Sequence, residues 1–154
     1  MSGLSQNLAH LSMVSMEIIA ALNHESDMNG NLAVQAAILH DTIEDTDTTY
    51  DELFSEFGQP VADGVLALTK DEAIEKQHQM SDSLRRIKRQ PIEIWMVKLA
   101  DRITNLQMPP ANWTIEKRRN YLDQARLIWE ELKSGNKFLS TRLNEKIQVY
   151  QLYI

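Results

Sequence analysis

Four ionisable side chains follow an apolar stretch near residue 40. Residues 34–39 are almost entirely apolar, and His40, Asp41, Glu44 and Asp45 come directly after them. On a continuous helix His40 and Glu44 lie one turn apart, as do Asp41 and Asp45, so all four share one side. Carboxylates this close repel one another unless a cation lies among them. The pattern favours a metal site over the alternative, an exposed acidic helix end, because the flanking residues are of types that are usually buried.

A second apolar segment ends in a similar way. Residues 92–100 are mostly apolar, Asp101 follows, and Asn105 comes one turn later on the same face. An ion pair with Arg102 is the simpler explanation of Asp101, but adjacent residues do not face each other on a helix. His40, Asp41 and a distant Asp101 would supply three metal ligands, which suit Mn, Fe, Co or Zn better than Ca or Mg. His10 is the best remaining candidate for a fourth ligand, with a structural histidine as the alternative.

The elements that must position these groups are helices. Apolar residues recur at helical spacing, and no stretch shows sustained strand-like alternation. We expect helices at 4–22, at 32–43, from Pro91 to Pro109, at 114–132 and at 138–153. Another helix should begin at Tyr50, behind a capping box formed by Thr49 and Glu52. A further helix should begin at Pro60 and turn Val61, Val65, Leu66 and Leu68 toward the core. The sequence therefore predicts one all-α domain over residues 1–154, a bundle of about seven or eight helices.

Charge and composition narrow the function classes. The 154 residues include 16 Lys+Arg and 22 Asp+Glu, a net charge of −6, which argues against nucleic-acid binding. The chain has no Cys, no apolar run that approaches a membrane span and no signal-peptide pattern, so we expect a cytoplasmic protein. Residues 70–90 are rich in charge, which indicates either a solvated helix or mobile segment, or a basic flank that contacts phosphate. His24 and His78 are expected to be exposed.

The two motifs, AILHDTIEDT at 37–46 and VKLADRITNL at 97–106, resemble those of the HD-domain metal-dependent phosphohydrolases. Within that family they are most similar to the hydrolase domain of the Rel/Spo proteins and their small metazoan relatives. Those enzymes remove the 3′-diphosphate from guanosine tetra- and pentaphosphate. Residues 57–58, 61–62 and 68–70 fit the family's stretch between the motifs, and the resemblance covers most of residues 8–132.

The resemblance implies a set of site residues and an HD-domain helical bundle. The family's metal ligands, which usually hold Mn, fall on His10, His40, Asp41 and Asp101. The acid pair that positions or activates the attacking water falls on Glu44 and Asp45. A contact to the nucleotide sugar falls on Asn105, and contacts to phosphate fall on Lys70 and on Arg85 or Arg86.

Two departures from the family keep the substrate open. Leu11 follows His10 where the family usually has Pro, and the nine residues before His10 contain no Arg or Lys, whereas the family carries a basic pair that helps to hold guanine. We expect a metal-dependent phosphohydrolase acting on a phosphate or pyrophosphate ester of a small-molecule nucleotide. The alternatives are a non-catalytic HD module that binds nucleotide or protein, and another HD nucleotidase or phosphodiesterase. A homo-oligomer is also left open.

Overall fold

The structure, a computed structural model, describes the backbone of residues 3–154 and the side chains of residues 7–154. Its α-helices are α1 (Gly3–His24), α2 (Gly30–Leu39), α3 (Thr42–Asp45), α4 (Tyr50–Phe57), α5 (Gln59–Leu68), α6 (Lys76–Ile87), α7 (Ile92–Asn105), α8 (Ile115–Leu132) and α9 (Lys137–Tyr150), followed by a 3₁₀ turn at Gln151–Tyr153. Over these described residues there is no strand. Eight helices have two turns or more and α3 is a single turn, so the predicted all-α bundle is confirmed. None of the described helices is long and apolar enough to cross a bilayer.

Helix α7 lies at the centre of the bundle. It packs against α1, α2, α5, α8 and α9, and its apolar residues from Ile94 to Ile103 are buried almost all round. A helix that buries apolar residues on most of its sides is stable only in the interior of a bundle. Asp101 is therefore carried into the core on the most buried helix of the described chain.

Helices α2 and α7 are joined at their first residues. The backbone N–H of Asn29, the N-cap of α2, donates to the carboxylate of Glu93 at 2.6 Å. Glu93 lies in the first turn of α7 and is buried. Because His40 and Asp101 also meet beyond this junction, the two helices run in the same direction.

The predicted start of α4 is confirmed. The Thr49 side chain accepts from the backbone of Glu52, and the Glu52 carboxylate accepts from the backbone of Thr49. Gly58 ends the helix with φ +84°, a conformation that glycine adopts without strain. The expected inward set on α5 is wrong at one position, since Leu66 is 44% exposed while Val61, Val65 and Leu68 are buried.

The predicted continuous helix over 32–43 is also wrong, because it breaks at His40–Asp41. The His40 ring donates through Nδ1 to the carbonyl of Ala37 at 2.7 Å, and the Thr42 hydroxyl donates to the carbonyl of Leu39 at 2.7 Å. These side chains occupy carbonyls at the end of α2, and Asp41 takes φ −99°, ψ 0° outside the helical region. Glu44 and Asp45 therefore lie on the separate turn α3, not on a shared ridge with His40 and Asp41.

Arg86 of α6 caps the end of α5. Its guanidinium donates to the carbonyls of Leu66 at 2.7 Å and Thr69 at 2.8 Å, and its Nε donates to Asp82 at 2.8 Å. Carbonyls at a helix C-terminus lack partners within the helix and carry negative partial charge, so a guanidinium stabilises them. This contact fixes the position of Lys70, the next residue along the chain.

Candidate metal centre and cavity

Four side chains from three parts of the chain converge at one point. Nε2 of His10 lies 3.2 Å from Oδ1 of Asp101 and 3.7 Å from Oδ2 of Asp41. Nε2 of His40 lies 3.2 Å from Oδ2 of Asp41 and 3.7 Å from Oδ1 of Asp101. Ligand atoms of His10, His40 and Asp41 all lie within 4.8 Å of one another. The four residues predicted as metal ligands are thus brought together, two imidazoles facing two carboxylates.

The chemistry of His40 fits a metal ligand. A carbonyl can only accept, so the 2.7 Å contact with Ala37 requires the ring proton to be on Nδ1. Nε2 then carries a free lone pair in the neutral ring, and this buried atom makes no hydrogen bond to any described residue. A histidine whose other nitrogen is held by a backbone carbonyl is the usual arrangement at metal sites. The two imidazoles and two carboxylates therefore suit a divalent cation.

The surroundings of His40 favour positive charge. Burial by itself lowers the pKa of this ring, but the contacts with Asp101 and Asp41 outweigh burial and raise the pKa to about 10. Burial by itself raises the pKa of Asp101, yet the histidines and Lys98 hold that pKa well below its usual range. Carboxylates that raise the pKa of His40 in this way would also attract a metal cation, which would take the place of the proton on Nε2.

Asp101 is oriented by two further side chains. The amide of Asn105 donates to Oδ1 at 2.7 Å, and Nζ of Lys98 lies 3.7 Å from Oδ2. Burial lowers the pKa of Lys98, although Asp101 opposes that effect. Asn105 was predicted to contact the nucleotide sugar; it lies beside the cavity with one amide proton already given to Asp101.

The predicted acid pair lies beside the four converging side chains but not among them. One oxygen of Glu44 accepts the backbone N–H of Lys70 at 2.7 Å, and the other lies 3.9 Å from the Lys70 ammonium. Asp45 accepts from the amide of Asn7 at 3.2 Å. Glu44 is thus held by the segment that Arg86 anchors, with one oxygen left for a further partner.

These groups line one cavity of about 540 Å³. Its wall includes all four predicted ligands, both residues of the acid pair, Lys70 and Asn105. It also includes residues that we did not predict as site residues: Asn7, Leu68, Met80, Lys98, Arg102, Tyr121 and Gln124. Lys98 could have been found by the argument that singled out Asp101, since it interrupts the same apolar run.

Arg85 does not line this cavity. Its guanidinium pairs with Asp82 one turn earlier on α6, and its side chain is 66% exposed. It lies instead beside separate surface clefts that include Ser81. Arg86, the other arginine suggested for phosphate, is engaged with the end of α5. Of the three basic residues expected to contact phosphate, Lys70, Arg85 and Arg86, only Lys70 therefore lines the cavity.

Comparison with known proteins identifies the family of this chain. The HD domain profile matches residues 2–137. The curated guanosine-3′,5′-bis(diphosphate) 3′-pyrophosphohydrolase MESH1 of Danio rerio is 32% identical over 128 residues, which is 80% of this chain and 71% of that protein. The Homo sapiens MESH1 is 32% identical over 126 residues, covering 79% of this chain and 70% of that protein.

A solved structure agrees with the sequence matches. A metazoan orthologue of SpoT that hydrolyses ppGpp superposes with a TM-score of 0.75 at 28% identity, covering 91% of this chain and 79% of that one. The fold, the paired motifs and these matches give one conclusion: this chain belongs to the HD-domain family.

Proposed function

We propose that this protein is a metal-dependent phosphohydrolase that removes the 3′-diphosphate of guanosine 3′,5′-bis(diphosphate). The observation that carries the proposal is the convergence of His10, His40, Asp41 and Asp101 on the wall of an open cavity. The relatives named for this activity cover most of the chain at about 30% identity. The products would be guanosine 5′-diphosphate and inorganic diphosphate.

The four converging residues would hold the cation, and we propose Mn²⁺ because imidazole and carboxylate together suit it. When bound, such a cation polarises a phosphoryl oxygen and makes a nearby water more acidic. Asn105 and Lys98 keep the Asp101 carboxylate in one orientation, with Oδ1 toward the histidines. Ligand geometry of this kind depends on such supporting contacts.

Glu44 and Asp45 would receive the proton of the attacking water. Glu44 is fixed through one oxygen by the Lys70 backbone, so its second oxygen can accept the proton. Asp45 lies next to it on α3 and is steadied by Asn7. A base close to the metal ligands, but not itself among them, is free to take up the proton and release it after each turnover.

Lys70 and Lys98 would offset the charge of the reacting diphosphate. The Lys70 ammonium is exposed at the cavity rim, and Lys98 is buried within the cavity wall. Cations placed where phosphoryl oxygens gain charge stabilise the transition state most. We retain Asn105 and Lys70 as proposed substrate contacts because both line the cavity, and we leave Arg85 out of the proposal because it does not.

The test is hydrolysis of guanosine 3′,5′-bis(diphosphate) by the metal-stripped protein, with and without added Mn²⁺, followed by ion chromatography. We expect guanosine 5′-diphosphate and diphosphate to appear in equal amounts and only with the metal. A parallel panel contains nucleoside monophosphates and cyclic dinucleotides. Preferred turnover of a panel member would replace the proposed substrate, and nucleotide binding without any product in a single turnover would make the chain a binding module.

A further inference from the structure

Arg102 is a buried cation in the cavity wall that the proposed chemistry does not use. Its residue is only 6% exposed, and within the described chain its guanidinium makes neither a hydrogen bond nor an ion pair. Nε and Nη1 are sealed from solvent without partners, so Nη2 is the nitrogen left to face the cavity. A buried charge without a partner is costly, which indicates that its partner is a ligand.

The other two cations of the cavity differ from Arg102. Lys70 lies near the carboxylate of Glu44, and Lys98 lies near that of Asp101. Among the described residues that line this cavity, Arg102 alone is a cation without a carboxylate within ion-pair distance. The positive charge of Arg102 is therefore left for one anionic group of a bound ligand to neutralise.

The position of the guanidinium is fixed by an aromatic ring. Its central carbon lies 4.4 Å from the ring centroid of Tyr121 on α8, and Tyr121 lines the same cavity. Stacking on an aromatic face stabilises a guanidinium but uses none of its N–H donors. The N–H donors of Nη2 therefore stay available in a fixed plane, an arrangement that suits the oxygens of a phosphate group.

The anion that Arg102 faces is not the reacting one. Asp101 and Arg102 are neighbours on α7, so their side chains leave the helix about 100° apart. Asp101 points to His10 and His40, whereas Arg102 points to Tyr121 on α8. A phosphate undergoing hydrolysis must lie beside the first group, which leaves Arg102 for a second phosphate of the same substrate.

We propose that Arg102 binds the 5′-diphosphate of the nucleotide while its 3′-diphosphate lies at the metal ligands, so that this arginine selects substrates phosphorylated at both ends. This inference rests on the proposed function, whose substrate has one diphosphate at each position. It makes Arg102 a specificity-determining residue with no part in the bond cleavage.

The experiment compares guanosine 3′,5′-bis(diphosphate) with guanosine 3′-diphosphate, which lacks the 5′ phosphates. For Arg102→Gln we expect kcat/KM to fall about 30-fold on the first substrate and less than about threefold on the second, because a hydrogen bond to a charged group is lost only with the first. The inhibition constant of guanosine 5′-diphosphate should rise by a similar factor. Arg102→Lys, which keeps the charge, should recover part of both effects.

The control is Arg119→Gln, an exposed arginine of α8 that should behave as the unaltered protein. An equal fall of kcat/KM on both substrates with an unchanged inhibition constant would overturn the proposal, because a purely structural arginine predicts that result. If the variants do not fold, the unaltered protein decides: equal inhibition by guanosine and by its 5′-diphosphate would also overturn it. If the proposed function itself fails, neither substrate is cleaved. Calorimetry then decides the inference, which requires guanosine 5′-diphosphate to bind more tightly to the Mn²⁺-loaded protein than to its Arg102→Gln variant.

Discussion

Arg85 and Arg86 are adjacent arginines with contrasting contacts, and replacing each by Met tests the role of α6. Arg86 donates to the carbonyls of Leu66, Ala67 and Thr69 and to Asp82, and its side chain is 27% exposed. Each contact to a charged donor is worth about 1.5–3 kcal/mol at best, but water can replace part of them, so we expect Arg86→Met to lower the free energy of unfolding by about 2–3 kcal/mol. For a chain of this length the midpoint should fall by about 4–12 °C.

Arg85→Met is the matched control, because it removes the same charge one residue away. Arg85 makes only an exposed ion pair with Asp82, and such pairs contribute about 0–1 kcal/mol. Urea denaturation gives both free energies under the same conditions. Equal destabilisation by the two substitutions would refute the capping role of Arg86.

The same pair of variants separates scaffolding from phosphate binding. Loss of Arg86 should loosen the segment of Thr69 and Lys70 that holds Glu44, so kcat/KM should fall between about 3- and 100-fold, as small misplacements of catalytic groups do. Arg85→Met should leave the KM for nucleotide unchanged. A large rise in KM for Arg85→Met would restore the phosphate contact that we first expected of it and contradict the structure.

The pH dependence of the Arg86→Met effect has a definite sign. The hydrogen bonds from Arg86 and then Arg85 hold the pKa of Asp82 below its ordinary value in the folded protein. This stabilisation is complete above the unfolded pKa of about 3.9 and is lost as the pH falls through the lowered folded value. The stability difference between the two proteins should therefore be constant near neutrality and shrink below about pH 4, leaving the part due to the carbonyl contacts.

Three further substitutions probe the site and its frame. Asp101→Ala should abolish stoichiometric Mn²⁺ binding in equilibrium dialysis while the helical circular dichroism is kept; full metal content would remove Asp101 from the ligands. Glu44→Gln should keep the metal and lose turnover, and an unchanged rate would exclude this carboxylate from proton transfer. Gly64→Ala should lower the free energy of unfolding by about 1–2 kcal/mol, because the added methyl would lie 2.3 Å from Cδ1 and 2.9 Å from Cγ1 of the fully buried Ile94. Unaltered stability of this last variant in urea would mean that α5 and α7 separate easily.

The sequence predicted the helices well because their signals are local. The Thr49–Glu52 capping box and the Gly58 stop depend on neighbouring residues only, and both are present. The break at His40 was missed because it comes from side chains that capture carbonyls, an effect that apolar periodicity does not reveal. Charge alone also could not distinguish the roles of Arg85 and Arg86, since the partner of Arg86 is a helix end about 20 residues away along the chain.

The candidate site was predictable where polar residues interrupt apolar runs. His40, Asp41 and Asp101 followed from that rule, while His10 was only the best remaining candidate until the family resemblance strengthened it, because one histidine on a helix has many uses. Arg102 was considered only as a partner of Asp101. Its stacking on Tyr121 and its lack of a carboxylate depend on how α7 and α8 meet, which only the fold can give.

The junction of Asn29 with Glu93 has a consequence for how this chain can vary in length. With α2 and α7 fastened at their beginnings, the distance along each helix to His40 and to Asp101 is set by the number of residues between. One inserted residue would turn the following side chain by about 100° and advance it by about 1.5 Å, enough to carry an imidazole out of reach of its carboxylates. Natural insertions and deletions should therefore be confined to the connecting loops, and an engineered insertion inside either helix should cost metal binding before it costs folding.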